Sequence, residues 1–142
     1  MRIVVFGIGY VGLSNAIMLA RKHHVTAVDV VAEKVQLLNQ KHCPIADSDI
    51  KDYLIYRNLN IQATTDGASA SQEAELIIVA TPTDFDDKTN SFDMSSVESV
   101  IKTVRTVNSD VPIVIRSTVS IGYVQSLHDR GEENVMFMPE FL

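Results

Sequence analysis

The sequence predicts an α/β fold: a doubly wound, mostly parallel sheet of six strands. Three observations predict it. Short apolar runs of strand type alternate with stretches of helical spacing along all 142 residues. The first apolar run ends in glycines spaced Gly-x-Gly-x-x-Gly, at Gly7, Gly9 and Gly12, and a helical pattern begins at once. The strands are continuously apolar, as strands covered on both faces must be, except the third, which alternates. The Rossmann-like order 3-2-1-4-5-6 puts that third strand at an edge, where one face is less covered.

In chain order, Ile3 to Phe6 is the first strand, and Leu13, Ala16, Ile17 and Ala20 mark a helix to about Lys22. Strand two is Val25 to Val28, ending at Asp29. Val31, Val35 and Leu38 mark a second helix, Cys43 to Asp47 breaks it, and a short helix covers Ser48 to Arg57. Strand three is Leu59 to Thr64 and strand four Leu76 to Ala80, stopped by Thr81-Pro82-Thr83 because proline donates nothing to a central ladder. Asp84 to Ser91 is a polar, acidic loop. A helix comes next, with Asp93 or Ser95 as cap and Val97, Val100, Ile101 and Val104 as its buried stripe. Strand five is Ile113 to Ile115, a helix over Tyr123 to Arg130 closes at Gly131 as C′ residue, and Val135 to Met138 is strand six. No helix pattern comes after it to cover that strand's outer face, so Pro139 to Leu142 reads as a cut end.

The composition narrows the function classes. At 46% hydrophobic and 21% charged residues this is ordinary globular material, enough for one domain. No apolar run spans a bilayer, and the short start before Gly7 is no signal peptide, so no membrane partner is expected. A net charge of −6 without a basic stripe argues against nucleic acid. The single cysteine, Cys43, excludes an internal disulfide and fits a cytoplasmic location.

The residues that interrupt the apolar pattern sit just after strands: the glycine turn, Asp29, Thr81 to Thr83, Ser117-Thr118 and Glu140. In an open parallel sheet these points share the carboxyl rim, where ligands bind. Gly7 lets the chain leave the strand tightly, Gly9 has no Cβ to hold a pyrophosphate away, and Gly12 lets the helix pack against the strand. Unpaired amides and the helix dipole favour the pyrophosphate of a dinucleotide. Asp29, twenty-two positions past Gly7, is placed to accept hydrogen bonds from the adenosine ribose and to repel a 2′-phosphate, which favours NAD over NADP. Capping the helix that begins near Val31 is its other role, and the two are compatible. Lys34 reaches the same ribose or phosphate, or is simply solvated. Thr83 and Thr118 end strands four and five near the nicotinamide half, though such threonines often satisfy local backbone. Glu140, the carboxylate just after strand six, is a base, a water-positioning group or an ordinary surface glutamate.

No metal site is expected. Thr89 and Ser95 stand where a calcium loop starting at Asp84 needs glycine and glutamate. His23 and His24, adjacent on a helix end, face different ways. Cys43 lies off the rim and reads as a small buried residue.

With these motifs placed, the chain resembles the start of the UDP-glucose/GDP-mannose dehydrogenases, of the kind acting on UDP-glucose. The matching pieces are Gly7 to Leu13, Val28-Asp29 with Lys34, Ala80 to Thr83, Ser117-Thr118-Val119 with Gly122, and Pro139 to Leu142, in family order along the whole chain. The resemblance implies oxidation of the C6 alcohol of UDP-glucose to a carboxylate, reducing two NAD molecules in turn. A cysteine forms a thiohemiacetal and then a thioester, which water hydrolyses. It implies that the backbone at Tyr10 and Val11 meets the pyrophosphate, that Asp29 and Lys34 hold the ribose, and that Thr83 and Thr118 flank the nicotinamide. It implies as well that Thr118 and Glu140 help to order the water or proton acceptor. Ser120 departs from the usual proline, and Arg116 from the usual lysine. The family's catalytic cysteine, its supporting lysine and asparagine, most of the UDP-sugar site and the dimer helix come later than residue 142. The expectation is an incomplete NAD-binding domain over 1–142, inactive alone, from a homodimeric enzyme. Two alternatives stay open: the same domain acting with GDP-mannose or a UDP-N-acetyl-sugar, and a nucleotide-sensing regulatory module.

Overall fold

The computed structural model describes residues 1–140; the last two residues of the expected Pro139 to Leu142 motif, Phe141 and Leu142, lie outside the described residues. The elements run β1 (Arg2–Phe6), α1 (Tyr10–Ala20), β2 (His24–Val28), α2 (Ala32–Asn39), α3 (Ser48–Tyr56), β3 (Ile61–Thr64), α4 (Gly67–Ser71), β4 (Leu76–Val79), β5 (Phe85–Asp86), β6 (Ser91–Phe92), α5 (Ser95–Val107), β7 (Ile113–Ile115), α6 (Tyr123–Asp129) and β8 (Val135–Phe137). Six strands form one sheet in the order β3-β2-β1-β4-β7-β8, every pair parallel. Counting only its strands, that is the expected 3-2-1-4-5-6 order, with the alternating strand at an edge.

Side-chain alternation along β1 explains the two layers. Ile3 and Val5 face Ala16 and Ala20 of α1, while Val4 and Phe6 join Val97, Ile101 and Val104 of α5 on the opposite face. Leu13 and Ile17 of α1, Leu38 of α2 and Ile50 and Leu54 of α3 complete the first layer around Ala27 and Ala63. α4, α5 and α6 form the second, where Leu127 packs with Ile113, Ile115 and Val135. Each such aliphatic side chain, when fully buried, stabilises the fold by about 1.5–3 kcal/mol.

Three local features differ from the sequence expectations. Gly67–Ser71 is a short helix, capped by Asp66, whose carboxylate accepts the Ser69 N–H at 3.0 Å. Its small residues carry no apolar period, and Gly67 is there because a Cβ would lie 2.6 Å from the Phe6 ring. The polar Asp84 to Ser91 segment contains the antiparallel β5–β6 hairpin, pinned by an edge-to-face pair of Phe85 and Phe92 with centroids 5.1 Å apart. The α5 N-cap is Met94, although Asp93 still accepts the Ser95 N–H at 2.9 Å. α6 ends as expected: Gly131 (φ +93) is C′, with Gly131 and Glu132 amides donating to His128 and Leu127 carbonyls. α2 ends in the same bond pattern, but with Lys41 at φ +60 in the left-handed position.

Candidate functional site

All the strand tips named from the sequence fall on the carboxyl rim of the sheet. The glycine turn leaves β1 as expected. Gly7 has φ +101, and a Cβ there would lie 2.4 Å from the Ala80 carbonyl oxygen. A Cβ on Gly12 would lie 1.9 Å from the Gly7 oxygen, so glycine alone allows α1 to start this close to the turn. Gly9 is different: a Cβ there meets nothing within 4 Å, because the position borders open crevice. α1 begins at Tyr10 with Gly9 as N-cap, no capping side chain and no acidic residue in its first turn. Its first amides are therefore left for an anion.

The turn forms one wall of a crevice of about 360 Å³, lined by Gly9, Tyr10 and Val11, by Ala80 to Asp84 after β4, by Arg116 to Thr118 after β7, and by Glu140. Hydroxyls tie these loops together. Thr83 Oγ1 donates to the Thr118 carbonyl at 2.6 Å, and Ser117 Oγ donates to the Thr81 carbonyl at 2.7 Å. Ser96, at the start of α5, donates to the Pro82 carbonyl at 2.7 Å and lies 3.0 Å from Thr81 Oγ1. The Thr118 side chain stays exposed on the crevice wall.

Glu140 is no free surface glutamate. Its Oε2 accepts from the Arg116 guanidinium and, at 2.9 Å, from Asn15 Nδ2 of α1. The Arg116 hydrogen bond, then the Asn15 one, hold its carboxyl below the usual range. The lysine-to-arginine departure at 116 thus has a local role: the guanidinium fork reaches across from β7 to the segment after β8. Asn15, 6% exposed, was missed in the sequence, although a lone amide among Leu13, Ala16 and Ile17 was the signal.

Asp29, at the tip of β2, and Lys34, in the first turn of α2, lie beside the glycine turn and outside that crevice lining. The Asp29 carboxylate accepts the Ile8 N–H at 2.7 Å and the Val31 N–H at 2.9 Å, with Lys34 Nζ 3.9 Å away. The cap-type bond and the proximity to the glycine turn therefore coexist. A carboxylate offers roughly four lone-pair sites, so two backbone bonds leave acceptor capacity for ribose hydroxyls.

Cys43 is half-buried, not buried as expected; its Sγ–H points to the Ile45 carbonyl at 3.1 Å, and it does not line the crevice. A larger hollow of about 410 Å³ between α5 and α6 has four of its five charged side chains paired with one another, Arg105 with Glu132 and Arg130 with Glu98, the fifth being Lys102. The rim crevice, with open amides and exposed hydroxyls, is the better ligand site. Among the described residues no helix is long and apolar enough to cross a membrane.

Residues 1–142 match the UDP-glucose/GDP-mannose dehydrogenase family, NAD binding domain. UDP-glucose 6-dehydrogenase of Streptococcus pneumoniae is 42% identical over all of this chain and 36% of its own length. The enzyme of the same name from Campylobacter jejuni is 37% identical over all of this chain and 37% of its own. Among solved structures, a ternary complex of GDP-mannose dehydrogenase from Pseudomonas aeruginosa superposes with a TM-score of 0.83 at 28% identity, covering 100% of this chain and 36% of that one. The chain thus spans little more than a third of the length of the relatives it matches.

Proposed function

Because this chain belongs to the UDP-glucose/GDP-mannose dehydrogenase family, as its NAD-binding domain, we propose that it serves a UDP-glucose 6-dehydrogenase of the cytoplasm. That enzyme would oxidise the C6 alcohol of UDP-glucose to a carboxylate in a homodimer. The residues fit NAD: α1 starts without a capping side chain, Gly9 leaves room over its amides, and an acid stands on the neighbouring strand tip. That juxtaposition is the observation that supports the reading. In it, the amides at Tyr10 and Val11 hold the pyrophosphate, and Gly7 and Gly12 shape the turn. Asp29 and Lys34 take the ribose hydroxyls. Thr83 and Thr118 flank the nicotinamide side. Bound NAD supplies the hydride acceptor. Glu140, kept ionised by Arg116, accepts a hydrogen bond from the hydrolytic water with Thr118 rather than storing a proton at neutral pH.

The UDP-glucose assignment is supported by two relatives of that name at 42% and 37% identity. GDP-mannose is the competing substrate, because a GDP-mannose dehydrogenase is similar too. Most of the sugar-nucleotide site, with the nucleophilic cysteine, is proposed to belong to sequence beyond residue 142. Calorimetric titration tests the coenzyme: NAD should bind, and NADP about tenfold weaker or worse, since Asp29 repels a 2′-phosphate. Equal affinities would overturn it. NADH formation from UDP-glucose, GDP-mannose and UDP-N-acetylmannosamine by the full reading frame tests the substrate.

A further inference from the structure

We propose that Asp29 is also the brace of the glycine turn: the carboxylate assigned to the ribose fixes the backbone that presents amides to the pyrophosphate. The proposal rests on the coenzyme reading above for its first half, and on geometry for its second.

The turn between β1 and α1 has two backbone anchors on β2. Gly7 N–H donates to the Val28 carbonyl at 2.8 Å, which merely extends the sheet ladder. The next amide, Ile8, leaves the ladder and donates to Asp29 Oδ2 at 2.7 Å. Ile8 is fully buried, so water cannot readily replace that acceptor, and a buried amide without a partner is costly. After Ile8 comes Gly9, and then the open amides of α1.

Asp29 itself is held rigidly enough to serve. Its Oδ1 accepts the Val31 N–H at 2.9 Å, its own N–H donates to the Thr64 carbonyl at 3.3 Å, and its side chain is 10% exposed. Lys34, 3.9 Å from Oδ2, is the charged group facing it. One carboxylate therefore joins the β2–α2 elbow to the phosphate-facing turn. Substitutions at Asp29 that are meant only to change coenzyme preference should also weaken phosphate binding.

The test uses the 142-residue chain with ADP and 2′,3′-dideoxy-ADP, which keeps the phosphates and lacks the ribose hydroxyls. Asp29→Asn, Asp29→Ala and Asp29→Ser all remove the charge equally. Asparagine keeps an oxygen for the buried Ile8 amide, and its solvent-exposed neighbour Val31 turns to water. Alanine keeps nothing. Serine, with one shorter arm, keeps the local bond to the Val31 amide and stands in should the alanine variant fail to fold. With dideoxy-ADP, the alanine and serine variants should bind about fivefold weaker than the asparagine variant, the loss expected for a disordered acceptor site. The Ile8 amide should exchange with solvent about tenfold faster in them. Equal dideoxy-ADP affinity across the three, with Ile8 equally protected, overturns the brace. The ribose reading fails separately: a wild type binding ADP and dideoxy-ADP alike removes it without touching the comparison among variants.

Discussion

An alanine at Gly9 should leave the fold standing and strip it of its coenzyme, whereas an alanine at Gly12 should damage the fold first. Gly9 has φ −103 and ψ −168, an extended conformation open to any residue, and its Cβ would meet nothing within 4 Å. Losing glycine's freedom in the unfolded chain stabilises by about 0.4–1 kcal/mol. Alanine is a poorer N-cap than glycine by an amount of similar size, about 1 kcal/mol, and opposite sign. The melting temperature should therefore move by no more than about 4 °C. In the crevice, however, the methyl stands beside the Tyr10 and Val11 amides. Denying an anion one of these hydrogen bonds costs about 1.5–3 kcal/mol, or about 10- to 150-fold in Kd. At Gly12 the methyl would lie 1.9 Å from the Gly7 oxygen and 3.3 Å from the Ala80 Cβ, so α1 must lift off the turn. Overpacking against backbone costs about 3 kcal/mol, which lowers the melting temperature by on the order of 10 °C. Calorimetric titration with NAD and thermal denaturation by circular dichroism measure both. A Gly9→Ala variant that binds NAD as the wild type does would refute the close approach of phosphate to that backbone.

Lys41→Gly should stabilise the chain by about 0.5–1 kcal/mol in urea denaturation, because φ +60 strains a residue with a Cβ by more than glycine's extra freedom costs; a lower midpoint would contradict it. Glu140 should titrate below the ordinary carboxylate range by carbon-detected magnetic resonance, and Arg116→Ala should bring it up while Arg116→Lys preserves most of the depression. Since its folded pKa is the depressed one, the contact contributes in full above the unfolded value of about 4.3 and fades as pH falls through the folded value. A titration curve indifferent to residue 116 would show that the ion pair is absent in solution. The 142 residues alone should give no steady NADH from UDP-glucose, and sustained turnover would show that the proposed division of labour is wrong.

The sheet was legible because its information is local. Runs such as Leu76 to Val79 need cover on both faces, and the glycine spacing fixes the tight turn and the helix behind the first of them. The rim came with the sheet, since every strand tip lies at one edge. The hidden elements depend on partners distant in sequence. The α4 helix exists through the Phe6 ring above Gly67, and the hairpin through two phenylalanines flanking a polar stretch with Asn90 at φ +50. Neither has a periodic signature. Asp29 was legible as an acid at a strand tip, but its partner is a backbone amide, which no side-chain pattern announces. Arg116 was visible as a departure from the family, and only the fold brought it onto Glu140.

The hydroxyl ties among Thr81, Thr83, Ser96, Ser117 and the Thr118 backbone carry no net charge. At the β2 end two backbone amides hold Asp29, and an ionic contact is added to them, with Lys34 3.9 Å away. Mobile ions screen exposed charges over about 8 Å at physiological strength and leave neutral dipoles almost untouched. Added electrolyte should therefore weaken the two ion pairs of the rim, Lys34–Asp29 and Arg116–Glu140, while the hydroxyl ties go on holding the loops after β4 and β7 together, so the rim is built from salt-sensitive and salt-indifferent contacts side by side.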